Sequence, residues 1–287
     1  MLATLLIAFR EVIEAGLIVG IVLAASKGVR GRTWWVSYGV IGGVIGACLV
    51  AAFAGEIESL FSGSGQDIFN AAILMLAVCM LTWHNVWMAG HGRAMAQEMK
   101  AVGAAVTRGE RSLAALAIVV GVAVLREGSE LVLFLYGIAV QPGASQTAML
   151  LGGALGLAAG VGLSALMYFG LLAIPAHRLF SVTSGLITLL AAGMAAQAIA
   201  FLQQDGYFEF LTRTVWDTSW FLPQGGTDWR GLIGQMLHTL IGYNEAPSGA
   251  QLVVYLATIA VMLSLMRWER ARHPKKVAAA ASAQAAE

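Results

Sequence analysis

Two strings in the chain carry chemistry at a fixed spacing: Arg10-Glu11-Val12-Ile13-Glu14 and, 116 residues later, Arg126-Glu127-Gly128-Ser129-Glu130. At about 100° per residue, Glu11 and Glu14 lie roughly 60° apart on a helix, with Arg10 roughly 40° from Glu14. Each string is therefore a pair of carboxylates on one helical stripe, braced by a guanidinium. Both sit inside apolar stretches long enough to cross a bilayer, where an ionised side chain costs roughly 2.5 to 3.5 kcal/mol. Six bare charges would cost about 15 to 20 kcal/mol, more than the roughly 5 to 15 kcal/mol net stability of a typical fold. They must face one another, water or a bound ion. Four Glu against two Arg leave a formal charge of −2, which asks for protons or a multivalent cation. Carboxylate oxygens are hard donors suited to iron, manganese, magnesium or calcium, and neither string holds a Cys or His that would soften the site. Buried ion pairs that merely fix helix register would leave the two surplus negative charges unexplained. Glu11, Glu14, Glu127 and Glu130 are thus expected to be ligands of a transported cation, with Arg10 and Arg126 as their counter-ions.

The elements that must hold these strings are membrane helices. Of 287 residues, 59% are hydrophobic and only 11% charged, against roughly 25% charged in soluble domains. Seven spans are expected: 2–25, 34–54, 68–88, 113–140, 148–173, 179–202 and 252–268, each near the roughly twenty residues that the hydrocarbon core requires. The amino-terminal stretch reads as the first of these rather than a cleavable leader, because Arg10, Glu11 and Glu14 interrupt it. Cys48 and Cys79 fall in different apolar runs and read as small hydrophobes. Lys27, Arg30, Arg32, Arg93, Lys100, Arg108, Arg111, Arg178 and the basic tail fall on one side, against Arg213 and Arg230 on the other. By the positive-inside rule the amino terminus is outside and the carboxyl terminus cytoplasmic. The outer joints are acidic, with Glu56, Glu58, Asp67, Asp205, Glu209, Asp217, Asp228 and Glu245, a surface that attracts cations. Nothing in the charge balance points to nucleic acid.

The two strings fall in spans one and four, three spans apart in order along the chain, so the helices that bear them run in opposite directions. The fold class expected is an all-α integral membrane protein with seven transmembrane helices, a 3+3 inverted repeat plus a seventh helix, and a site near the midplane where the halves meet. The organisation expected is residues 1–90 as the first three-helix repeat, 91–112 as a cytoplasmic surface helix or linker, and 113–202 as the second repeat. An extracytoplasmic loop with a short amphipathic segment follows at 203–248, then the seventh helix at 249–270 and a disordered tail at 271–287. Gly16/Gly20, Gly39/Gly43 and Gly152/Gly156/Gly160 read as close-packing faces.

Other polar residues carry weaker signals. His84 stands between Trp83 and Trp87 and is expected to be an interfacial residue of an aromatic belt rather than a ligand near the cytoplasmic exit. His91, His177 and His273 are expected at or beyond the cytoplasmic surface, and the scattered methionines are expected to be core packing. Asn70, Thr183, Ser184 and Gln197 occupy corresponding spans of the two halves; a supporting shell around the carboxylates and plain helix–helix bonding explain them equally well.

With two Arg-Glu-x-x-Glu strings in spans one and four, the sequence resembles the oxidase-dependent iron permease family, with its fungal high-affinity and bacterial members. Leu81-Thr82-Trp83, Trp87-Met88, Ala191-Ala192-Gly193-Met194 and Gly242-Tyr243-Asn244-Glu245-Ala246-Pro247-Ser248 are similar to bacterial members, in order along the chain. Family members often carry an acidic residue followed by Gly early in span three, where this chain has Asn70-Ala71. The resemblance implies inward movement of iron as substrate, with no permanently bound cofactor and no enzymatic reaction. It also implies an extracytoplasmic oxidase or iron-delivery partner, and is compatible with an oligomer in the plasma or inner membrane. It makes Glu11, Glu14, Glu127 and Glu130 iron ligands. The rival expectations are a proton-coupled transporter of another divalent cation and an intramembrane metal-dependent enzyme. The latter lacks the Glu-x-x-His and His-Glu-x-x-His spacings its sites require.

Overall fold

A computed structural model describes residues 1–60, 66–140, 145–170, 176–204, 206–224 and 228–284. The described residues form α1 (Leu2–Ala25), α2 (Arg32–Leu60), α3 (Gln66–Thr107), α4 (Ala114–Ala139), α5 (Gln146–Tyr168), α6 (Ala176–Gln204), α7 (Trp229–Ile241) and α8 (Gly249–Gln284). Among them there is no strand, only an isolated bridge between Thr214 and Ser248.

Five helices are long and apolar enough to cross a membrane, over Arg32–Phe53, Asp67–His91, Gln146–Tyr168, Ser181–Gln204 and Gly249–Arg272. The chain is a multi-pass membrane protein. The two remaining expected spans, α1 with 24 residues and α4 with 26, are long enough by rise per residue but are the helices that carry the charged strings.

Two helices run on past the expected segment boundaries. Residues 91–107 do not form a separate surface helix, because α3 runs unbroken for 42 residues, about 63 Å, roughly twice the bilayer core. Nothing from His91 to Thr107 breaks it: Met95, Met99 and Val106 continue the apolar stripe and pack on the same cluster as the end of α1. Likewise α8 does not stop near 270 to leave a structureless tail but continues to Gln284, in keeping with the high helix propensity of its Ala-rich sequence.

Two apolar clusters fix how α1 and α4 face each other. One gathers Ala3 and Ile7 from the start of α1 with Phe134 and Ile138 from the end of α4, along with α3, α6 and α8 residues such as Leu74, Leu81, Leu190 and Met262. The other gathers Ile18 and Val22 from the end of α1 with Leu116, Val120 and Ala123 from the start of α4. The helices therefore run antiparallel, and both charged strings lie between the two clusters. Each of these helices is backed by a glycine seam: α1 lies along α5 and α4 along α2. A Cβ added at Gly156 would stand 2.9 Å from the Ala8 Cβ and 3.0 Å from the Phe9 nitrogen, and one added at Gly39 would stand 2.5 Å from the Ala117 carbonyl oxygen. Gly156→Leu is expected to push α5 off α1 and cost about 1 to 3 kcal/mol or more, seen as a lowered thermal midpoint in detergent. Gly162→Leu is the control, since a Cβ there meets nothing within 4 Å.

Candidate functional site

The first string turns wholly inward. Arg10 is 1% exposed, Glu11 0% and Glu14 3%. Arg10 Nε lies 2.9 Å from Glu14 Oε1 across one helical turn, and its Nη1 lies 3.7 Å from Glu11 Oε1, as the i, i+4 spacing requires. The second string repeats the arrangement, with Arg126 Nε 3.0 Å from Glu130 Oε1 and 3.8 Å from Glu127 Oε1. Its burial is less complete: the Arg126 side chain is 31% exposed and that of Glu130 15%. Arg126 also stacks on the Trp87 ring of α3 at 4.1 Å, a cation–π contact that ties the second brace to the neighbouring helix.

The expectation for His84 is overturned. Trp83 does face outward, but His84 follows it by one residue, roughly 100° around the helix, and is only 1% exposed. Its Nε2 lies 3.3 Å from Glu14 Oε2, and its Nδ1 is paired with Glu130 Oε2. One imidazole from α3 thus joins the carboxylates of α1 and α4. A sequence signal was present: Leu74, Ala77 and Leu81 are buried on α3, and His84 continues their spacing of three and four.

Glu11, His84, Glu127 and Glu130 each offer one donor atom, and all four atoms lie within 4.8 Å of one another. With metal–ligand distances of about 2.0 to 2.6 Å, donors so spaced can close on one ion with small side-chain adjustments. Among the described residues the carboxylate oxygens of Glu11 and Glu14 and both His84 nitrogens are buried without a hydrogen bond, an arrangement that favours a cation at the point they face. Glu14 stands outside this converging group among the described residues and is held instead by Arg10 and His84. A cavity of about 320 Å³ lined by Cys79, Met80, Trp83, His84 and Glu130 reaches the site from the α3 side.

Of the four polar residues considered for a supporting shell, Asn70 and Gln197 stand apart from the carboxylates. Asn70 precedes His84 on α3 by 14 residues, about 21 Å of helix rise. Thr183 is buried on α6, and the carbonyl of Ser184 accepts the Thr188 hydroxyl at 2.7 Å. Gln197 lines a separate cavity of about 160 Å³ with Trp216, His238, Tyr243 and Gln251. That cavity lies under the connection from α6 through α7 to α8. It is held by Tyr243, whose hydroxyl donates to the Leu222 carbonyl at 3.1 Å, and by Gln224, whose backbone N–H donates to Glu245 at 2.7 Å.

Comparison with known proteins gives a consistent match. The model of the iron permease FTR1 family matches residues 1–269. The chain is 33% identical over 260 residues to the ferrous iron permease EfeU of Escherichia coli O157:H7, covering 89% of this chain and 91% of that protein. It is 31% identical over 259 residues to the ferrous iron permease EfeU of Yersinia pestis, covering 89% of each. A putative inactive ferrous iron permease EfeU of Escherichia coli strain K12 is 31% identical over 263 residues. No solved structure matches.

Proposed function

Because the chain belongs to the iron permease FTR1 family, we propose that it carries iron inward across the membrane through the buried site between α1, α3 and α4. The observation that carries this is the convergence, at one point between two apolar clusters, of acidic donors from both charged strings. The four carboxylates and two guanidiniums leave a formal charge of −2, which a divalent ion cancels and a trivalent ion exceeds. Charge balance therefore favours ferrous iron, the ion for which the bacterial relatives are named. The clusters on either side act as seals, so that the ion is held out of contact with both solutions until one side opens.

An inverted repeat is part of the proposal. It is supported by the exchange of partners, α1 along α5 and α4 along α2, which a pseudo-twofold relating α1–α3 to α4–α6 would produce. With the amino terminus outside, the acidic segment 203–248 gathers cations or receives an iron-delivery partner. The membrane potential then drives the ion inward by about 2.3 kcal/mol per charge per 100 mV. In vesicles containing the purified chain, ferrous iron uptake is expected to rise with an inside-negative potential and to be suppressed more by manganese than by calcium. No uptake above empty vesicles would remove the proposal, and proton movement stoichiometric with metal would make the chain a proton-coupled exchanger instead.

A further inference from the structure

We propose that His84 is a direct ligand of the transported cation through Nδ1, and that Glu14 serves as the carboxylate that orients this imidazole rather than as a ligand. The inference rests on the buried site being the transport site and assigns the chemistry within it.

The geometry divides the donors into two sets. Glu11, Glu127, Glu130 and His84 converge, while Glu14 lies behind the imidazole, against Nε2 at 3.3 Å and against Arg10 at 2.9 Å. A neutral imidazole has one N–H and one bare nitrogen. An Nε2–H facing Glu14 Oε2 at 3.3 Å leaves the Nδ1 lone pair directed toward Glu130 Oε2, and two donors aimed at the same place are what a shared cation requires. Arg10, Glu14 and His84 then form a chain in which the guanidinium fixes the carboxylate and the carboxylate fixes the ring. That is the usual arrangement behind a metal-bound histidine, and loss of the orienting carboxylate typically costs 10- to 100-fold in metal affinity.

The consequence is selectivity. Three carboxylate oxygens alone suit calcium and magnesium as well as iron, whereas an imidazole nitrogen favours first-row transition ions over both. His84 is therefore the residue that distinguishes divalent iron and manganese from the abundant hard cations. With a divalent ion bound, three ligand carboxylates and Arg126 balance its charge, and Arg10 and Glu14 balance each other.

The test uses the full chain purified in detergent, with Mn²⁺ as the spectroscopic probe and pulsed electron paramagnetic resonance to detect ¹⁴N coupling. Wild type is expected to show nitrogen coupling to the bound ion. His84→Gln is expected to lose it, to bind Mn²⁺ about tenfold or more weakly, and to let calcium compete better for iron uptake. Glu14→Ala is expected to weaken or broaden the coupling and Glu14→Gln, whose amide oxygen still accepts Nε2–H, to restore it. Mn²⁺ bound by wild type without nitrogen coupling overturns the ligand role, and does so even should His84→Gln not fold. Coupling unaltered in Glu14→Ala overturns the orienting role. A wild type that takes up iron but binds no Mn²⁺ removes the ligand set alone, whereas one that takes up no iron removes the transport proposal beneath it.

Discussion

Replacing Glu130 with Ala is expected to bring iron uptake into cells or vesicles down to background, with wild-type amounts of protein in the membrane. Glu130 is the point where three elements meet: Arg126 pairs with one of its oxygens at 3.0 Å, His84 with the other, and it belongs to the converging donor group. Losing a supporting partner of a metal ligand typically costs 10- to 100-fold, and loss of a ligand itself is expected to cost more. The fold should tolerate the change, because the side chain of Glu130 is 15% exposed and Arg126 keeps its stacking on Trp87. Glu130→Asp should retain a fraction of the rate, since it shortens the reach without removing the charge. Glu98→Ala, at an exposed position of α3, is the control that should leave uptake unaltered. Wild-type rates in Glu130→Ala would show that iron does not pass through this cluster.

Arg10→Met is expected to fail in a different way, as a loss of folded protein. Arg10 is 1% exposed and is the only guanidinium within ion-pair distance of Glu11 and Glu14 among the described residues. Removing one partner of a buried pair typically costs about 3 to 5 kcal/mol, because the remaining charge is left without compensation, and that is a large part of a stability of roughly 5 to 15 kcal/mol. The measurements are the amount of protein in the membrane and its thermal midpoint in detergent. Adding Glu14→Gln to Arg10→Met removes one of the two stranded charges and should recover part of the stability, though not transport. Arg126→Met should be milder, because that side chain is 31% exposed and Glu130 also contacts His84. Equal behaviour of the two arginine variants would contradict the difference in burial between the two strings.

The glycine seams show how far local pattern reached. Gly39/Gly43 and Gly152/Gly156/Gly160 were recognisable as small faces, because spacing by four places residues on one side of a helix whatever surrounds it. Their partners were not recognisable. That α5 serves α1 and α2 serves α4 depends on which backbones approach closely, and no run of sequence records that. The same limit explains Gln197: its span was foreseen, but its neighbours, His238, Trp216 and Tyr243, arrive from a connection that folds back over α6. The burial of His84 is hidden in the sequence for a related reason. Its tryptophan neighbours mark a membrane interface by composition, while its position in line with Leu74 and Leu81 marks the buried face, and on a helix angular position outweighs adjacency.

The amino-acid sequence by itself determined that this is a helical membrane protein and that two carboxylate pairs, each with its own arginine, must lie on helix stripes inside it. Those conclusions follow from the cost of charge in hydrocarbon and from 3.6 residues per turn, both of which act within a single helix. Only the tertiary structure decided that the stripes face each other, that a histidine from a third helix stands between them, and that Glu14 lies outside the converging donors. Those outcomes depend on the rotation and depth of one helix relative to another, which are set by close packing between segments far apart in the chain.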